Sequence, residues 1–129
     1  MKEHGSFNMY IINQCIVVEA LGAWNIETAL RFGKEYQSLV SQIEYQQWAC
    51  LVDFTRFELA VPEVWKHLDI INEWGNQHNQ KYEVLVCSSL TQVTLMEKSH
   101  EILSNVETKF CETLIEAKVW LIRLGVIKI

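Results

Sequence analysis

Apolar residues recur along this chain with two different periods, and the change from one to the other marks out its elements. Residues 7–12 (Phe-Asn-Met-Tyr-Ile-Ile) and 15–20 (Cys-Ile-Val-Val-Glu-Ala) are β-prone runs separated only by Asn13 and Gln14. A two-residue link that begins with asparagine suits a tight hairpin, because asparagine tolerates positive φ. Residues 21–24 (Leu-Gly-Ala-Trp) read as a connector. Beyond them the period lengthens: Ile26, Ala29, Leu30, Gly33, Tyr36, Val40 and Ile43 recur at three- and four-residue spacing. That spacing predicts an amphipathic helix to about Glu44, with Asn25 as its N-cap. Gly33 inside this helix costs about 1 kcal/mol against alanine, which close approach of the helix to a sheet would offset.

Residues 48–54 (Trp-Ala-Cys-Leu-Val-Asp-Phe) show almost no polar alternation before Asp53, as in a central strand covered on both faces. Residues 55–61 read as a loop, after which Pro62 opens a helix to about Gln77 with Val64, Leu68, Ile71 and Gly75 along one stripe. Residues 82–87 form the next strand, ended by Ser88 and Ser89. A weaker helical pattern continues through Val93, Met96 and Leu103, and residues 108–111 offer a short edge strand. The closing helix carries the stripe Leu114, Ala117, Lys118, Leu121 and Leu124, with Gly125 as its C-cap. Two opening strands followed by alternating helices and strands predict a single α/β domain over residues 1–129. Its order is β-β-α-β-α-β-α, a mixed sheet packed with helices, with the extra edge strand left open.

Composition narrows the function classes. The chain has 129 residues, half of them hydrophobic and a fifth charged, which is ordinary for one folded core. A net charge of -5 leaves no basic footprint for nucleic acid. Arg31 and Lys34 alternate with Glu27 and Glu35 at helical spacing and read as a solvated face. Residues 1–6 hold no apolar signal region and no apolar run is long enough to span a membrane, so a cytoplasmic location without membrane insertion is expected. Cys15, Cys50, Cys87 and Cys111 are far apart and form no Cys-x-x-Cys pair. They read as reduced core residues, two disulfides being the alternative that an even count permits.

Little in the chain spells out catalysis. Asp53 and Glu58 are a candidate carboxylate pair, but no histidine or nucleophile is near them in sequence. The plainer reading has Asp53 fixing the loop and Glu58 exposed. His67 and Asp69 stand two apart on a helix and point away from one another, while His67 and His78 are three turns apart, too far to share a metal. Ser88 and Ser89 lack a Gly-x-Ser-x-Gly elbow and read as turn residues. No phosphate-binding glycine loop is present. The sequence therefore predicts no enzyme, no cofactor and no metal. Trp24, Trp48, Trp65, Trp74 and Trp120 remain, and tryptophans serve either a core or an interface. Trp65 and Trp74 are nine apart and do not both fall on the Val64–Leu68–Ile71 stripe.

The element order, together with Gly22-Ala23-Trp24-Asn25 before the first helix, Leu51-Val52-Asp53-Phe54 in the third strand and Ala117-x-x-Trp120-Leu121 in the last helix, resembles the SpoIIAA-like fold. That fold is shared by STAS domains (sulfate transporter and anti-sigma factor antagonist) and by lipid-binding Sec14/CRAL-TRIO relatives. These patterns resemble the small bacterial SpoIIAA-like proteins more than the anti-sigma factor antagonists. The resemblance implies a regulatory module that binds a protein partner or itself. In the antagonists the loop after the third strand carries Asp-Ser-Ser/Thr-Gly, whose hydroxyl a kinase partner phosphorylates. Here the junction reads Val61-Pro62-Glu63-Val64, with no hydroxyl; Thr55 comes too early, and Glu63 already places a negative charge at the helix start. The expectation is a STAS-like interaction module without a phosphoswitch. Its partner-facing residues are Arg56, Phe57, Glu58, Pro62 and Glu63, with Phe57 as an apolar loop side chain. The alternative is a small carrier of an apolar or lipid-like ligand, which needs a closed apolar cavity lined by several tryptophans; an interaction module needs a filled core and an exposed patch.

Overall fold

The computed structural model describes residues 2–58, 61–98 and 104–128, and the backbone alone of residues 99 and 100. Leu103, assigned above to the weaker helical pattern, lies outside the described residues. The elements are β1 (Ser6–Ile12), β2 (Cys15–Gly22), α1 (Ile26–Ile43), β3 (Trp48–Phe57), α2 (Pro62–Gln77), β4 (Gln80–Val86), α3 (Leu90–His100), β5 (Glu107–Cys111) and α4 (Leu114–Arg123). The edge strand left open by the sequence is therefore β5, and the order is β-β-α-β-α-β-α-β-α.

All five strands join one sheet in the order β1-β2-β3-β4-β5. The first pair is antiparallel and the other three are parallel. The connections dictate this. Asn13, at φ 53°, turns the chain back so that Ile12 pairs with Cys15, whereas a helical crossover returns each later strand in the same direction.

Strand alternation divides the interior in two. Ile16, Val18, Cys50, Val52 and Leu85 face α1 and α2 and meet an aromatic core containing Trp24, Phe32, Tyr36 and Trp48. Val17, Ala49, Leu51, Val84 and Val86 face the other way, onto Ala117 and Leu121 of α4 and onto Val126 and Ile127. β3 is buried on both faces from Trp48 to Val52, as its unbroken apolar run predicts. The four cysteines are free and buried.

Two details of α1 differ from expectation. Leu30, placed on the buried stripe, is 46% exposed, and Phe32 is buried instead. Phe32 stands three residues after Ala29 and four before Tyr36, so it shares their face. Gly33 marks a close approach to α2 rather than to the sheet: a Cβ there would lie 3.1 Å from Ile71 Cδ1 and 3.4 Å from His67 Nε2. Asn25 does cap α1, its side chain accepting from the Thr28 amide at 3.2 Å.

What positions the candidate site is a mismatch of strand lengths. Pairing of β3 with β4 ends at Asp53 and Val86, but pairing of β3 with β2 resumes after a register shift and runs on to Leu21–Arg56 and Gly22–Phe57. The last turn-free residues of β3 therefore project past β4 with a strand on one side only.

Candidate functional site at the carboxyl end of β3

The loop expected over residues 55–61 is shorter than the sequence implies. Thr55, Arg56 and Phe57 belong to β3, and Phe57 is only 9% exposed. Its ring packs edge-on against Phe54 at 5.3 Å, Trp24 at 5.5 Å and Trp65 at 5.9 Å between centroids. Phe57 is thus a core side chain and not an exposed loop anchor. Leu21 and Gly22, read as connector, supply the backbone that keeps residues 55–57 extended. Nothing local signals this: Thr55-Arg56-Phe57 continues the strand as exposed, exposed, buried only because the register with β2 shifts. The other four predicted residues, Arg56, Glu58, Pro62 and Glu63, are exposed.

Asp53 holds the shift in place. Its Oδ1 accepts from the Thr55 amide at 2.9 Å and from the Thr55 hydroxyl at 2.7 Å, an Asx-type arrangement that occupies this carboxylate locally. α2 then begins at Val61, an N-cap with no side-chain hydrogen bond. Pro62 has no N–H to satisfy there, and Glu63 complements the positive end of the helix.

Sequence reasoning missed Gln92, which closes the open side of the β3 projection. Its Nε2 donates to the carbonyls of Phe54 at 2.8 Å and Phe57 at 3.3 Å. Its Oε1 accepts from the Ser88 amide at 2.7 Å and the Ser88 hydroxyl at 3.1 Å. One side chain thereby satisfies strand carbonyls that β4 is too short to reach. Ser89 caps α3 by accepting from the Gln92 amide at 3.2 Å, so both serines are turn and cap residues.

Between α2 and α3, above this projection, runs an apolar crevice of about 290 Å³. Phe54, Phe57, Trp65, Leu95 and Met96 form it, with Glu58 at its rim. Val61 and Leu90, at the starts of the two flanking helices, are exposed apolar side chains, Leu90 to 81%. Beneath the crevice lies a smaller cavity of about 40 Å³ that shares the walls Phe54, Phe57, Trp65 and Met96 and extends to Tyr36, Cys50 and Glu83. Burial, then the neighbouring Cys50 and Glu83, holds the Tyr36 hydroxyl well above its usual range. Burial and then Glu83 do the same to the Cys50 thiol. Cys87, near the base of α3, is pushed up to about 11 by burial and by Asp53. These thiols remain protonated at neutral pH and lack nucleophilic character. Among the described residues no three His, Cys, Asp or Glu side chains are grouped to hold a metal, and no helix is long and apolar enough to cross a membrane.

No family model matches the sequence, and no curated protein matches it either. Solved structures do match. A protein of the DUF3478 family with a SpoIIAA-like fold, from Shewanella loihica, superposes with a TM-score of 0.75 over 94% of this chain and 98% of its own, at 15% identity. The chain has the SpoIIAA-like fold. The anti-sigma factor antagonist SpoIIAA in its unphosphorylated form matches with a TM-score of 0.63 over 92% of this chain and 98% of its own, at 11% identity. An anti-sigma factor antagonist from Mycobacterium paratuberculosis matches with a TM-score of 0.61 over 91% and 93%, at 14% identity. The SpoIIAA-like fold read from element order and packing residues is the one these backbones share. In this chain that fold ends its third strand beside an apolar crevice with Glu58 in its lining.

Proposed function

We propose that this chain is a non-catalytic, cytoplasmic regulatory module that binds a protein partner, or a second copy of itself, through the carboxyl end of β3 and the first turn of α2. The observation that carries the reading is the crevice between α2 and α3, lined by apolar side chains with Glu58, Ser89, Thr91 and Gln92 among them, while Arg56, Pro62 and Glu63 are exposed on the adjoining β3 end and first turn of α2. An apolar centre inside a polar rim is the usual anatomy of a protein interface. Two matching structures of this fold are described as anti-sigma factor antagonists, which supports a regulatory role by analogy. The turn Val61-Pro62-Glu63 offers no hydroxyl, so binding through it runs without phosphorylation at that position. Phe57 contributes by shaping the floor rather than by contact alone.

Native mass spectrometry and thermal denaturation of Arg56→Glu and Glu63→Lys test this. Loss of the bound partner or of the oligomer, at unchanged Tm, is expected. An identical mass distribution in wild type and both variants would sink the reading.

A second reading is favoured by the inner apolar cavity, which shares four side chains with the crevice. At about 290 Å³ the crevice lies just under the lower end of small-molecule sites, roughly 300 Å³. On this reading the chain carries a small apolar ligand, which native mass spectrometry would detect as a fixed mass increment.

A further inference from the structure

Helix α4 is apolar on two opposite sides. Ala117 and Leu121 point into the sheet and are fully buried. Ile115 and Val119 lie on the outer side, 76% and 41% exposed, with half-buried Ile122 beside them. Spacings of four and three residues align these three along one stripe, the spacing of a helix–helix seam. A surface helix normally keeps one apolar face, turned to its core, and charged residues on the other. Here the outward face is apolar too, although α4 is the only helix, among the described residues, that covers its side of the sheet. The polar residues of α4 say what fits that face. Glu116 and Arg123 are exposed and stand seven residues apart, two turns, so both border the stripe on one flank. One Glu116 oxygen accepts from the Glu112 amide at 3.3 Å, which holds the side chain at the first turn. Lys118, on the other flank, is half-buried. A helix laid antiparallel on the stripe therefore needs a base level with Glu116 and an acid level with Arg123. A second copy of α4, reversed, supplies both.

We propose that α4 pairs two copies of this chain, antiparallel about a twofold axis beside Val119. Val119 of the two copies meets at the axis, and Ile115 of each lies toward Ile122 of the other. Glu116 and Arg123 stand equally far on either side of the axis, so each Glu116 comes level with the other copy's Arg123. The contact is isologous and closes on itself, which limits assembly to a dimer. The antiparallel arrangement also sets the positive start of each helix beside the negative end of the other. One ten-residue helix from each copy is a small interface, so the pairing is reversible and depends on concentration. The crevice lies on the other side of the sheet: its walls Phe54, Phe57, Trp65 and Met96 pack in the interior under α1 and α2, whereas α4 packs in the second interior. Pairing through α4 therefore leaves both crevices open and is independent of the partner surface at the end of β3. A dimer presents two such surfaces to a repeated partner.

The test is sedimentation velocity of the full chain over a wide range of protein concentration, with circular dichroism as the check on folding. The wild type is expected to pass from monomer to dimer and no further. Val119→Glu sets two carboxylates against each other at the axis and is expected to leave a folded monomer throughout. Ile115→Ser, at the most exposed position of the stripe, is expected to weaken pairing in the same direction. Glu116→Arg and Arg123→Glu each turn both cross-contacts repulsive and are expected to weaken pairing about tenfold. Mixed together, these two variants face each other with opposite charges at every contact, so the mixture is expected to form a heterodimer that neither forms alone. A wild type that stays monomeric overturns the proposal. So does a dimer unaltered by both Val119→Glu and Ile115→Ser, or a mixture no more associated than its components. A dimer lost in Arg56→Glu but kept in Val119→Glu would place self-association at the end of β3 and overturn the α4 contact alone.

Discussion

Phe57 and Arg56 are neighbours in sequence with opposite surroundings, and their variants separate packing from surface. Phe57 fills space between Trp24, Phe54 and Trp65, so Phe57→Ala is expected to lower stability by about 3–5 kcal/mol in urea denaturation. Arg56 is exposed, and Arg56→Glu is expected to shift stability by no more than about 0.5 kcal/mol. Buried thiols make a second residue-scale prediction. Burial raises Cys15 from 9.0 to about 12, and burial with Asp53 raises Cys87 from 9.0 to about 11. Between these values the unfolded chain binds fewer protons than the native one. The stability the neutral thiols contribute is therefore full below about pH 9 and is lost as pH rises toward 11–12. Tm should fall across that interval, and more shallowly in a Cys15→Ala, Cys87→Ala variant. A parallel fall in both proteins would assign the alkaline loss to other groups.

Among the described residues, helix α3 is tied to the rest of the chain through Gln92, Val93 and Met96. Gln92 bridges Ser88 to the carbonyls of Phe54 and Phe57, and Val93 and Met96 meet the aromatic core. Gln92→Leu removes the bridge and leaves those carbonyls without this donor. A loss of about 1–2 kcal/mol is expected, with faster amide exchange confined to α3 and its neighbours. Uniform change in exchange across the sheet would show that Gln92 is no local tether. The glycines of α1 and α2 make a matched comparison. Alanine improves helix propensity at either by about 1 kcal/mol. At Gly75 the added Cβ would stand 2.7 Å from Gln80 Oε1 and 3.1 Å from Tyr36 Oη, both on buried side chains. At Gly33 it would meet the tip of Ile71 at 3.1 Å. Gly75→Ala is expected to lower Tm, whereas Gly33→Ala leaves it nearly unchanged; the reverse order would mean that Gln80 yields more readily than Ile71.

Over the whole molecule, the apolar periods sufficed for the β-β-α opening, the doubly buried centre of β3, the bounds of α2 and the burial of all four cysteines. These follow from local rules. A helix or strand shows its buried face in its own spacing, Asn13 accepts a positive φ without help, and Asn25 caps its helix with its own side chain. The charged residues Arg56, Glu58 and Glu63 were legible as surface for the same reason, since charge is costly to bury. Glu83 breaks that rule by being 3% exposed, and nothing local says whether its side chain meets water or the interior. Phe57 turned inward because β2 continues to Gly22 while β4 stops at Val86, a relation among three strands that no single segment contains. Gln92 reaches Phe57 across 35 residues of sequence, and the crevice is the space left between those two segments and α2. The sequence by itself determined the elements and their apolar faces, because solvent exclusion acts residue by residue. The tertiary structure alone decided the site, because a cavity is defined by where separate elements end against one another.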